Sequence, residues 1–451
     1  MAGKSTTGLQ VSGYRFLVRR MEHALVRGDV RMLNDPLRAQ SLSMVAGCVL
    51  ATIALAVCAV LAFLQPRGDV GSAAIVVARE SGALYVRIGD TMHPALNLAS
   101  ARLITGVADK PALVSASAID RAKRGSLVGI PGAPDTIATP LGADESAWTV
   151  CDDAAERTTV LAGHAPAHLD SSRSALVAAR GESAANTYLL YDGLRARVDL
   201  RNPAAVRALK LDGIAPRPVS RALLDAVPEA PEITAPVVPR VGASSPLPGF
   251  TVGTVVRLTR AGSTEYYVAL EGGVQRVGEV AADLIRFTYS HRRDIVTVAP
   301  GLIGSVPIVE DLPVTTFPDR GGVANGRVLC TRSGAVLVGD SLPVDGDRAV
   351  GALAQADEAG PGVDSFAMPP GRSAYVRAAG VSGEGAATGA LYLVNDSGVV
   401  FGIHDEDAAR RLGLTTPAVP APWPLLAQLP RGPELSVQSA SVGRDSVGPT
   451  P

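Results

Sequence analysis

Apolar and polar positions along the chain alternate in short blocks, with one exception. Leu42 to Leu64 reads LSMVAGCVLATIALAVCAVLAFL, 23 residues without a charge. A helix of that length rises far enough to cross a hydrocarbon core of about 30 Å. A secretory signal has an apolar core of about 7–15 residues close to the N-terminus. This run is longer and follows 41 residues, so it predicts a membrane-spanning helix. Upstream, Tyr14, Leu17, Val18, Met21 and Leu25 recur at helical spacing and form one apolar stripe, with Arg15, Arg19 and Glu22 around it. A basic amphipathic helix beside a membrane suits contact with anionic lipid or with a partner. A solvated face that serves only topology is the alternative.

Downstream the chain repeats itself. Segments 83–106, 187–213, 265–288 and 390–414 each carry a short apolar strand with a tyrosine: Tyr85, Tyr188, Tyr267 and Tyr392. Each then has a turn holding Gly89, Gly193, Gly272 or Gly398, a second strand and a short helical stretch. A proline follows, Pro131, Pro228, Pro307 or Pro430, at 46, 40, 40 and 38 residues from the tyrosine. Near-constant spacing in four places indicates one supersecondary unit used four times. Two stretches are left over, and AWTVC (147–151), GRVLC (326–330) and GAVLVG (334–339) read as strands of a central domain built from both.

The pattern divides the chain as follows. Residues 1–41 precede the span at 42–64. Repeat 1 takes 70–135, the first core piece 136–180, and repeat 2 181–230. A Pro/Gly/Ser-rich linker covers 231–250, and repeat 3 covers 251–313. The second core piece takes 314–386, repeat 4 387–436, and a disordered tail 437–451. The expected fold class is α+β: a single N-terminal transmembrane helix, then four small hairpin-helix repeats around a β-rich core.

Charge sets the orientation. Residues 1–40 hold seven Lys/Arg against three Asp/Glu, and 35 basic against 40 acidic residues follow the span. The positive-inside rule places the N-terminus in the cytoplasm and the bulk outside. A net charge of −1 gives no basic excess for nucleic acid. Cys48 and Cys58 lie within the span as small apolar residues. Cys151 and Cys330 are the remaining pair, in a compartment where disulfides persist. They most simply form one bridge; two unpaired buried thiols are the alternative.

Motifs for chemistry are weak. Gly3-Lys4-Ser5 matches the tail of a phosphate-binding loop but lacks the upstream glycine and strand that such a loop needs. His164, His168 and Asp170 would suit a metal on a helix, but Pro166 breaks that helix. His404-Asp405-Glu406-Asp407 opens a helix, where the dipole accounts for acidic residues. Gly383 to Gly389 resembles a dinucleotide loop with one residue too many, ahead of a strand where the fingerprint follows one. The sequence assigns no catalytic residue, no metal ligand and no cofactor.

Several long stretches resemble the EccB family, a membrane component of the mycobacterial ESX, or type VII, secretion machinery. They are LQVSGYRFLVRRMEHALVRGDVRMLNDPLRAQS (9–41), RESGALYVRIGDTMHPALNLASARLITG (79–106), LVGIPGAP (127–134), AWTVCD (147–152) and APWPLLAQLPRGPELS (421–436). The resemblance implies a single-pass inner-membrane subunit with four repeat units in an elongated extracytoplasmic region, in which Cys151 and Cys330 match the bridged cysteines. It implies partners EccC, EccD and EccE, a hexameric assembly, and the mycosin protease MycP outside. The N-terminal helix, through the stripe above with Arg15 and Arg19, would contact other subunits. Some family members carry the name ATPase, so ATP would be a cofactor only if that name holds for this chain. A nucleotide-hydrolysing subunit and a cell-wall-binding repeat module are the two alternatives to a structural role.

Overall fold

The uncharged run folds as a single helix. A computed structural model describes residues 7–28, 36–64, 70–163, 169, 174–181, 186–260, 262–289, 294–332, 334–344 and 350–445. Gly3 to Ser5, His164, His168 and Asp170 lie outside the described residues. The chain divides into two units, Met1–Asp69 and Val70–Pro451. In the first, α1 (Gly8–Arg27) begins six residues before Tyr14, the first residue of the expected stripe, and ends where the left-handed Gly28 donates its N–H to the Ala24 carbonyl at 2.9 Å. The second helix, α2 (Pro36–Leu64), contains the span Ser41–Leu61, with mean hydropathy 2.6 and outward apolar side chains. Its hydroxyl at Thr52 donates back to the Cys48 carbonyl at 2.8 Å, as a polar group in lipid requires.

In the second unit each repeat starts one strand earlier than the tyrosine hairpin. The opening strands are Ile75–Ala78, Ala175–Ala179, Val255–Arg260 and Arg372–Ala379. Each pairs antiparallel with the tyrosine strand, which pairs with a third, and a helix returns the chain to a short strand parallel to the first. The second and fourth opening strands fall inside the segments assigned above to the core, 136–180 and 314–386. Alanine-rich, and separated from their tyrosine strands by longer loops, they carry no hairpin signature.

Three of the four prolines share one structural role. The carbonyls of Pro228, Pro307 and Pro430 accept the N–H of third-strand residues Arg195, Val274 and Val400 at 2.8 Å each. A residue that only has to accept at a sheet edge can be proline. Pro131 has no such role. In repeat 1 the returning strand is Lys123–Arg124, paired with Thr91 and Met92, which accounts for the odd spacing of 46.

The two leftovers do meet in one sheet. Its six strands run Ala335–Gly339, Val328–Arg332, Trp148–Asp152, Thr158–Ala162, Ser365–Ala367 and Gly351–Ala352. One face carries Trp148, Val150 and Leu329 into a core shared with repeats 2 and 4. The other carries Cys151, Cys330, Val328 and Leu161 beneath loop residues Leu169, Leu342 and Val344. Beyond this sheet, repeat 1 shares a core with repeat 4. Repeat 2 shares one with the third-repeat helix through Val280 and Leu284.

Two expectations need correction. The linker 231–250 is pinned, with Ile233, Val238 and Leu247 buried in three successive cores. The described part of the expected tail, 437–445, is structured: Ser436 caps a turn of helix at Val437–Ala440, Ala440 is fully buried, and Gly443–Arg444 pairs with Leu127–Val128 of repeat 1. Its polar residues serve as caps and edge pairs, which composition alone reads as disorder.

Candidate functional site

The chemistry-bearing residues of the second unit gather where the central sheet meets repeat 2. Cys151 and Cys330 face each other on adjacent antiparallel strands and are joined by a disulfide. The next residue, Asp152, points to the opposite face because side chains alternate along a strand. Its carboxylate accepts the Ser220 N–H at 2.6 Å and the Thr158 hydroxyl at 2.8 Å, and the Arg180 guanidinium lies 3.3 Å away. Arg180 also donates to the Thr158 hydroxyl oxygen and the Gly360 carbonyl, at 3.1 and 3.0 Å. Arg217 donates to the carbonyls of Gly326, Asp152 and Arg327 within 3.0 Å. Burial pushes the Asp152 carboxyl above the usual carboxylate range, while Arg180 and the hydrogen bonds pull against it.

Asp364 finishes the seam by accepting backbone N–H groups from Thr158, Asp357 and Glu358 at 2.7–3.0 Å. Asp152 is fully buried and the Arg180 side chain 4% exposed. Groups so placed fasten a repeat to a sheet. General acid–base work would need one of them within reach of a substrate proton.

Repeat 4 uses its acidic residues in the same way. Asp405 caps the helix Glu406–Leu412 by accepting the Ala408 N–H at 2.8 Å. Asp407 pairs with Arg410 and Arg411, and exposed His404 meets Glu434 at 2.9 Å. Gly383 to Gly389 is a series of turns ahead of the strand Leu391–Val394. Among the described residues no three His, Cys, Asp or Glu side chains group as metal ligands.

One surface cluster carries no sequence signature. The Trp423 and Tyr392 rings lie 5.6 Å apart, and the Arg431 guanidinium sits 4.7 Å over Trp423. Its parts are 39 residues apart at the widest, and only the return of the chain in repeat 4 brings them together.

On α1 the stripe stands open. Tyr14, Leu17, Met21 and Leu25 are exposed, Val18 is half-buried, and Arg15 and Arg19 flank them in solvent. Val11, three residues before Tyr14, extends the stripe by one turn and was missed. His23, on the opposite side of the helix, is buried.

A family profile described as "Type VII secretion system ESX-1, transport TM domain B" matches residues 3–449. The chain is 36% identical over 481 residues to the ESX-3 secretion system ATPase EccB3 of Mycolicibacterium smegmatis, covering 98% of this chain and 91% of that one. It is 34% identical over 491 residues to the ESX-5 secretion system ATPase EccB5 of Mycobacterium tuberculosis, covering 98% and 94%. Its fold is similar to a chain in the structure of an intact ESX-5 inner membrane complex, with TM-score 0.70, 32% identity and coverage of 100% and 98%. It is also similar to a chain of the EccB3 dimer from the ESX-3 core complex, with TM-score 0.69, 33% identity and coverage of 82% and 100%.

Proposed function

The chain belongs to the EccB family of type VII secretion proteins, and on that premise we propose that it is a structural membrane subunit of an ESX secretion complex. Ser41–Leu61 anchors it in the inner membrane, α1 lies on the cytoplasmic side, and the repeat body stands on the outer side. The orientation rests on the basic excess before the span. One observation carries the reading: the fold matches, from end to end, a chain that belongs to an ESX-5 inner membrane complex. The buried seam fits a load-carrying role, because its charged groups are spent on holding modules together.

The partners that follow are EccC, EccD and EccE, further copies of this chain, and MycP on the outer side. The exposed stripe of α1 offers a contact face for the subunits at the inner surface of the membrane. Affinity purification in mild detergent tests this: recovery of those subunits is expected, and recovery of the chain alone overturns it. Alkaline phosphatase fused after Pro451 should be active, and an inactive fusion reverses the orientation. Several relatives are named ATPases. For this chain, ATP turnover no higher than in a boiled control is expected, and a rate abolished by one point substitution would restore the enzymatic reading.

A further inference from the structure

Repeat 3 lacks an edge pairing that its sister repeats possess. In repeats 1 and 2 the third strand is paired on its outer edge by a parallel returning strand: Thr91 with Lys123 and Met92 with Arg124, then Arg195 with Glu229 and Ala196 with Ala230. In repeat 4 the returning chain bridges at both Arg431 and Leu435. In repeat 3 the pairing stops after one bridge, Val274 with Ile308.

The consequence falls on Arg276. Alternation along the antiparallel ladder turns the backbone N–H and C=O of Val274 and Arg276 to the outer edge. The Val274 N–H donates to the Pro307 carbonyl, and the Val274 carbonyl accepts the Val309 N–H, at 2.8 and 2.9 Å. The counterparts of Arg276, two residues further along, are Arg197 and Gly402. Their carbonyls accept N–H groups from Ile233 and Leu435, at 3.0 and 2.7 Å. Among the described residues nothing reaches the edge-facing amide or carbonyl of Arg276.

The returning chain bows away instead. Buried Gln275 grips Leu312 by its amide side chain, donating to the Leu312 carbonyl at 3.0 Å and accepting its N–H at 2.7 Å. The chain comes back only at Asp319, whose carbonyl accepts the Glu279 N–H at 2.8 Å. Between these points opens a cleft of about 1270 Å³, lined by the hairpin tip 262–266, by Arg276 and by the bowed segment. Two ion pairs on its wall are internal, Lys210–Glu279 and Arg276–Glu265. The exposed carboxylates of Glu310, Asp311 and Asp319 form no ion pair among the described residues, against one such cation, Arg320. The wall is therefore left with an acidic excess.

We propose that this cleft is a docking site for an extended, lysine- or arginine-bearing peptide segment of a partner protein, which supplies the missing pairing at the Arg276 backbone. Main-chain pairing at a free sheet edge supplies affinity, and side-chain chemistry along the groove supplies selectivity. The occupant is basic because the unpaired wall charges are mostly acidic. This chain's own C-terminal residues 446–451 carry no Lys or Arg and do not meet that requirement.

The test uses the full chain in detergent and fluorescence anisotropy with three labelled ten-residue probes. The first alternates lysine with valine and threonine. The second has glutamate at every lysine position. The third is the lysine peptide with alternate backbone amides methylated. The lysine peptide should bind about tenfold more tightly than the glutamate peptide and weaken as salt rises. The methylated probe should bind about fivefold more weakly than its parent. Hydrogen exchange at Arg276 should slow when the lysine peptide binds. E310Q/D311N/D319N, at three exposed side chains, should lower lysine-peptide affinity to the level of the glutamate peptide and leave thermal unfolding unchanged. Equal binding of lysine and glutamate peptides overturns the proposal. So does equal binding of the methylated and parent peptides, an unmoved Arg276 amide, or no binding of the lysine probe.

Discussion

Arg102 and Arg411 cap each other's helices. Arg102, in the first-repeat helix Leu98–Thr105, donates to the Leu412 carbonyl at the end of the fourth-repeat helix, at 2.9 Å. Arg411, in that fourth-repeat helix, donates to the Leu103 carbonyl at 3.3 Å. Both helices end on a left-handed glycine, Gly106 and Gly413. A Cβ on Gly106 would sit 3.2 Å from the Arg411 guanidinium, and one on Gly413 3.5 Å from that of Arg102. Last-turn carbonyls without intrahelical partners are thereby met across the junction by a cation, which the helix dipole also favours.

R102M should destabilise the repeat-built unit by about 1–3 kcal/mol, the cost of a charge-assisted hydrogen bond and an unmet carbonyl. R411M should cost less, given its longer bond. Because the two residues hold one interface, R102M/R411M should depart from the sum of the single losses by about 0.5 kcal/mol or more. Urea unfolding followed by tryptophan fluorescence measures this. Additive losses would show that the two caps act independently.

Asp152 makes stability depend on pH in a direction opposite to most carboxylates. Burial raises its pKa in the folded chain above the ordinary value. Between about pH 4, where an unfolded aspartate titrates, and its raised value, the folded state holds a proton that the unfolded state has released. Its contribution is therefore full below the unfolded pKa and is lost as pH rises through the folded one. D152N should flatten that part of the profile. Above the raised pKa, where the carboxylate is ionised, it should also cost about 3–5 kcal/mol, since Arg180 is then left buried without its counter-charge. Denaturation midpoints from pH 4 to 7 for both proteins decide it, and parallel profiles would remove Asp152 as the cause.

Features written in local pattern were legible without coordinates. The span follows from 23 uncharged residues, and the tyrosine hairpins from alternation and glycine turns. The strands holding Cys151 and Cys330 were also visible in the chain. What escaped depends on distant partners. Ala175–Ala179 belongs to repeat 2 because it pairs with the tyrosine strand across a loop, and no residue within it announces that. Val437–Ala440 is ordered because repeat 1 offers an edge to Gly443–Arg444, although its composition suits solvent. The seam at Asp152 joins residues 28, 65 and 68 positions apart, and the free edge at Arg276 is visible only by comparing one repeat with its three sisters.

The Cys151–Cys330 bridge spans 179 positions. Closing so long a loop should stabilise by about 5 kcal/mol in the chain-entropy model. C151A/C330A should therefore lower the urea midpoint of the repeat-built unit without altering its circular dichroism, because the strands on either side remain paired. Each single variant should do worse in non-reducing conditions, where its lone thiol is open to intermolecular exchange. An unchanged midpoint in the double variant would mean that sheet pairing alone restrains the unfolded chain.

The stripe on α1 makes the sharpest test of assembly. Leu17 and Met21 are 57% and 62% exposed at its centre, with Tyr14 and Leu25 on either side. Apolar residues at a contact centre carry most of the binding energy, and a buried carboxylate there is strongly unfavourable. L17D/M21D should therefore reduce co-purified partner subunits by about tenfold or more, while the chain still reaches the membrane and its repeats keep their protease resistance. L9D, on another side of the same helix, should leave recovery near that of the unaltered chain. If both variants lose partners equally, general helix stability is responsible. If neither does, the stripe meets lipid or solvent and subunit contacts lie elsewhere. Vesicle flotation separates those last two outcomes, since a lipid-facing stripe would lose affinity for anionic vesicles when the aspartates are introduced.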